Sequence, residues 1–94
     1  MTYEILASTQ YIKDARRLEK SGKDMRKLQN VISSLASGEL LPKQYKDHQL
    51  KGRLQGRRAC HIGPDWLLIY RKDKERLLLL VLRTGTHRSV LGIE

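Results

Sequence analysis

Six consecutive aliphatic residues, Leu77-Leu78-Leu79-Leu80-Val81-Leu82, constrain this chain more than any other feature. The run is far short of the roughly 20 apolar residues that a membrane helix needs. It is also too apolar for a strand with one face in water, and suits a central strand covered on both faces. The chain has 94 residues, enough for one small domain that buries about two thirds of its unfolded surface. One domain over residues 1–94 is therefore expected. With no Phe and a single Trp, its core must be aliphatic, and Leu40, Leu41, Leu67, Leu68 and Ile69 are further candidates for it.

Upstream of the run the periodicity changes. Residues 3–6 read as a short strand, and Ser8 or Thr9 can cap a helix carrying Tyr11, Ala15 and Leu18 at helical spacing. Ser21-Gly22 interrupts that pattern. Residues 23–37 read as a second helix, with Met25, Leu28, Ile32 and Leu35 on one stripe and Gly38 as its C-cap. Residues 39–56, with Pro42, Gly52 and Gly56, read as a surface loop carrying His48. Strands are expected over 57–62 and 66–71 around a Gly63-Pro64-Asp65 turn, then over 77–82. Residues 88–94 can form one short helical turn. The order of elements is strand, two helices, three strands.

Net charge is +9, which favours a polyanionic partner such as RNA. The excess is uneven: residues 1–42 carry 7 basic and 5 acidic side chains, residues 43–94 carry 12 and 5. Phosphate contacts are accordingly expected from Lys51, Arg53, Arg57 and Arg83. The lone Cys60 can form no internal disulfide and reads as a small core residue. Without a membrane span or a signal-peptide layout, a cytoplasmic location with no membrane partner is expected.

The three histidines sit in distinctive strings, Asp47-His48, His61-Ile62-Gly63-Pro64-Asp65-Trp66 and Thr84-Gly85-Thr86-His87. Histidine changes charge nearest neutral pH, so histidines among cations suggest proton transfer at a phosphate-attracting site. Strand alternation puts Cys60 and Ile62 on the helix-covered face and His61 with Arg57 and Ala59 on the other. Asp65 and Trp66 would lie at the rim, and Arg83 just before His87. The three imidazoles can thus converge.

Longer strings contain these residues: Asp47-His48-x-Leu50-x-Gly52, Gly56-x-Arg58-x-x-His61-x-x-Pro64-Asp65-Trp66-x-Leu68-Ile69-Tyr70, and Arg83-Thr84-Gly85-Thr86-His87. Together they resemble the YafQ branch of the RelE-superfamily toxins, the ribonuclease halves of bacterial type II toxin-antitoxin pairs. The resemblance implies a small α+β, RelE-like fold, with the N-terminal strand and helical hairpin packed on an antiparallel β-sheet. It further implies mRNA cleavage, typically on the translating ribosome, and inhibition by a cognate antitoxin protein. The functional set it implies is His48, His61, Asp65, Trp66 and His87. Leu91 stands where that branch commonly has an aromatic residue, so it joins the RNA-binding set without a ring to stack.

The chemistry open to this set is metal-independent phosphodiester cleavage by attack of the ribose 2′-hydroxyl on phosphorus. His87 is the expected general acid and His48 the general base or phosphate ligand. His61 and Asp65 share the remaining work, an Asp beside a His fixing its tautomer and favouring its charged form. Trp66 offers a flat face to a base. A transition-metal site is the first rival, since His and Asp are suitable ligands, but no two lie at the tight spacing of recognised metal motifs. No metal or cofactor is therefore expected. The second rival is a non-catalytic basic module that only holds RNA or an acidic protein, because charge speaks for association and not for chemistry.

Overall fold

Residues 2–92 are described by a computed structural model of the chain. Its elements are β1 (Glu4–Ala7), α1 (Thr9–Lys20), α2 (Met25–Ala36), β2 (His48–Gln49), β3 (Arg58–Gly63), β4 (Trp66–Asp73), β5 (Leu78–Gly85) and α3 (His87–Leu91). Single 3-10 turns occupy Lys43–Tyr45 and Gly52–Leu54. Ser8 starts α1 by accepting the Tyr11 N–H at 2.9 Å, and its hydroxyl donates to the Leu82 carbonyl at 2.7 Å, tying the helix to β5. Asp24 caps α2 through the Arg26 N–H, so that helix begins after the cap and not at Lys23.

One sheet orders the strands β1-β5-β4-β3-β2. Strands β2 to β5 are antiparallel to their neighbours, whereas β1 runs parallel to β5. The sheet is therefore mixed and not wholly antiparallel. Direction at β1 is set by how the crossover through the helices returns, which a four-residue strand does not itself encode.

Helices α1 and α2 cover one face of the sheet, burying Leu28, Ile32 and Leu35 against Cys60, Leu68, Tyr70, Leu79 and Val81. On the other face Ala59, Leu67 and Ile69 lie under Val90 of α3. The strand covered on both faces is thus β4, from Trp66 to Tyr70. The aliphatic run lies beside it: Leu79 and Val81 are buried, but Leu78, Leu80 and Leu82 are only half-buried. The reason is geometric, since α3 has five residues and reaches only part of that face. Leu40, expected in the core, is 96% exposed. Cys60 is fully buried, and burial and then Asp47 push its thiol up to about 12, so it stays neutral and inert.

The segment expected as a plain loop contributes a fifth strand. His48 pairs with Ala59 and Gln49 with Arg58, which fastens β2 to the free edge of β3. Of the expected C-terminal turn, α3 is present, while residues 93–94 lie outside the described residues.

Candidate active site

Each histidine reaches the site by a different element. Cys60 and Ile62 are buried on the helix side of β3, so the half-exposed His61 between them points to the opposite face. His48 pairs across from Ala59, and Ala59 and His61 are two apart on one face, which makes the histidines diagonal neighbours. Their ring centroids are 6.4 Å apart. His87 opens α3, and its ring lies 5.4 Å from His61. A register shift between His61 and Gly63 kinks β3 here, as bulges beside functional sites commonly do.

The chain enters α3 through a tight corner. Gly85 has φ +151°, and a Cβ on it would come within 2.6 Å of the Ser89 hydroxyl. Thr86 then caps the helix by accepting the Ser89 N–H at 3.1 Å. His87 is fixed from the neighbouring turn, where Asp65, at φ +48°, takes both its backbone N–H at 3.0 Å and its ring Nδ1 at 2.7 Å. Those two contacts hold the Asp65 carboxyl below the usual carboxylate range. A carboxylate only accepts, so His87 Nδ1 carries hydrogen and Nε2 is left to exchange a proton. The same logic applies to His48. Its Nδ1 lies 2.7 Å from the Lys46 carbonyl, which also only accepts. The His48 Nε2 is thereby the free lone pair of the neutral ring.

Asp65 serves His87 and not His61, against expectation. The αL turn aims the carboxylate toward α3, a direction invisible in the order of residues. His61 is pushed down from its ordinary value by desolvation and then by His87, Lys46 and His48, so it stays neutral further into acid and is not the charge-favoured member of the set. The linkage sign is definite: the unfolded chain takes up this proton more readily, so the contribution of His61 is complete above about 6.5 and is lost as pH falls through the lower folded value. His61→Gln should therefore shrink the drop in melting temperature between about pH 7.5 and about pH 5. An unchanged or larger drop would contradict this reading of the cluster.

Trp66 is not at the rim. It is 4% exposed, its Nε1 donates to Thr84 Oγ1 at 2.9 Å, and that hydroxyl donates to the Leu67 carbonyl at 2.8 Å. An indole so enclosed, with Lys23 Nζ 5.8 Å from its centroid, has no open face for a base; it clamps the start of β4 to the end of β5. Arg83 is likewise engaged, its Nε and Nη2 donating to buried Asp14 at 2.9 and 3.3 Å. Leu91 is half-buried against Ala59, Leu67, Ile69 and Val90, a packing role. Lys51 and Arg53 are exposed, and Arg57 lines a separate cleft with Arg58, Lys72 and Lys74.

Other residues meet the histidines instead. Lys46 is near enough to depress His61, and Lys23 helps lower Asp65. A cleft beside His61 is lined by Lys27 and Asn30 of α2 and by Gln44, Tyr45 and Lys46. Lys27 and Asn30 are three apart and share one helix face, a readable signal that the charge excess of the second half obscured. Asp47 holds the approach to His48, accepting from Tyr70 Oη at 2.7 Å and from Arg58 Nε at 3.3 Å.

Residues 3–92 match the family described as "Bacterial toxin of type II toxin-antitoxin system, YafQ". The chain is 43% identical over 90 residues to the mRNA interferase toxin YafQ of Escherichia coli (strain K12), covering 95% of this chain and 96% of that one. It is 36% identical over 66 residues to a putative toxin YafQ of Haemophilus influenzae, covering 67% and 65%. The toxin in the crystal structure of the E. coli DinJ-YafQ complex superposes with a TM-score of 0.87 at 40% identity, over 96% of this chain and 99% of that one. A metal-bound toxin from Helicobacter pylori superposes with a TM-score of 0.88 at 39% identity, over 96% and 99%. Sequence and fold agree over nearly the whole chain, and the chain belongs to the YafQ family of bacterial type II toxin-antitoxin toxins.

Proposed function

We propose that this chain is an mRNA interferase, an endoribonuclease that cuts mRNA on the translating ribosome by metal-independent general acid–base catalysis. One observation carries the reading: His61 lies 6.4 Å from His48 and 5.4 Å from His87, with Asp65 and the Lys46 carbonyl fixing the outer two rings. The activity in the name of the E. coli relative supports it. His48 Nε2 takes the proton of a ribose 2′-hydroxyl as its oxygen bonds to the adjacent phosphorus. The P–O5′ bond breaks, and protonated His87 gives its Nε2 hydrogen to the departing 5′-oxygen. The products are a 2′,3′-cyclic phosphate and a 5′-hydroxyl, so atoms balance without a further reactant. Neutral His61 hydrogen-bonds a non-bridging oxygen, and Lys46 offsets the growing negative charge.

The partners in this reading are mRNA, the ribosome and a cognate antitoxin whose acidic and apolar groups cover or distort the same cationic face. The E. coli relative is seen in complex with DinJ. Among the described residues no helix is long and apolar enough to cross a membrane, and an mRNA substrate places the work in the cytoplasm.

The test uses an RNA substrate and a copy lacking one 2′-hydroxyl at the cut, with chelator, with and without ribosomes. Cleavage should continue in chelator, leave a cyclic phosphate, stop on the deoxy copy and follow a bell-shaped pH profile. Loss of cleavage in chelator would favour a metal enzyme, and binding without cleavage would favour a basic RNA-binding module.

A further inference from the structure

We infer that the cleft between α2 and the Lys43–Tyr45 turn takes the nucleobase next to the scissile phosphate, and that Asn30 and Gln44 read its edge. This rests on the ribonuclease reading above. The cleft has a volume of about 500 Å³ and opens on His61; small-molecule sites run from about 300 to 1,000 Å³. A base seated there lies beside His61, whose ring neighbours those of His48 and His87. Its lining has the chemistry of base readout: Asn30 and Gln44 each present a carbonyl and an NH₂ side by side, the pairing that recognises base edges. Both side chains are exposed, so no core contact fixes them elsewhere. Tyr45 packs partly into the core and gives the cleft a wall, while Lys27 and Lys46 supply charge for the adjoining phosphates. Cations attract every sequence equally, whereas carboxamides discriminate.

The second cleft, with Arg57, Arg58, Lys72 and Lys74, has comparable charge but no histidine in its lining, which is why the reading site is assigned beside His61.

The experiment measures kcat/KM for the full chain, with ribosomes present, on mRNA substrates differing only in the base at each position flanking the cut. The wild-type chain should prefer certain bases at one flanking position. Asn30→Ala and Gln44→Ala should each compress that spread about tenfold. Lys27→Ala should lower all substrates together and flatten the salt dependence. Preserved preference in both carboxamide variants, or a wild-type chain that cuts without preference, overturns the base-reading site alone. A wild-type chain that cuts nothing overturns the ribonuclease reading and this site with it.

Discussion

Replacing His87 by alanine should lower RNA cleavage by about 10²- to 10⁴-fold, the range for loss of one positioned general acid or base. The fold should survive, because the His87 side chain is 42% exposed and its one side-chain bond is to the exposed Asp65. Most of α3 is held by its Thr86 cap and by Val90 in the core, neither of which the change removes. RNA affinity should therefore persist while turnover falls, with kcat carrying the loss and KM nearly unchanged. Cleavage and growth toxicity that survive unchanged would eliminate His87 as the acid. Affinity lost in step with cleavage would make it a binding group.

Asp14→Ala should destabilise the fold by about 3 kcal/mol. Asp14 is 3% exposed and accepts from Arg83, from Gln10 and from the Thr84 N–H. Burial pushes its carboxyl up, and those bonds more than reverse the push, so it remains ionised. Its removal strands a buried backbone N–H and an arginine. The value sits at the low end for a broken buried pair because Arg83 keeps about a third of its side chain in water and can turn outward. A chemical-denaturation midpoint measures it, and the Asp14→Ala, Arg83→Ala pair should cost less than the sum of its members. A loss under about 0.5 kcal/mol, typical of surface changes, would show that the pair does not clamp β5.

Much of this was legible beforehand because it depends on local periodicity. The stripe Leu28, Ile32 and Leu35 marked the buried face of α2, and alternation along β3 correctly separated Cys60 and Ile62 from His61. The length of the aliphatic run found an interior strand but assigned full burial to β5 when β4 has it, since a run of leucines does not say how far a later helix extends. Trp66 departs from the position its sequence context predicts for a related reason. Position after a Pro-Asp turn suits the surface, and only the approach of Thr84, 18 residues away, gives its N–H a buried partner.

The residues themselves determined which groups could do chemistry here: three imidazoles in three strings, a cationic balance and a neutral buried thiol, because side-chain type and spacing are properties of the chain. Tertiary structure alone decided which groups meet. Asp65 finds His87 across 22 positions at 2.7 Å, Arg83 turns to Asp14 and away from RNA, and Lys46 presents its carbonyl to His48. Such pairings are settled by strand register, αL turns and the crossing of α1 over β5, and these are compromises struck by the whole core at once.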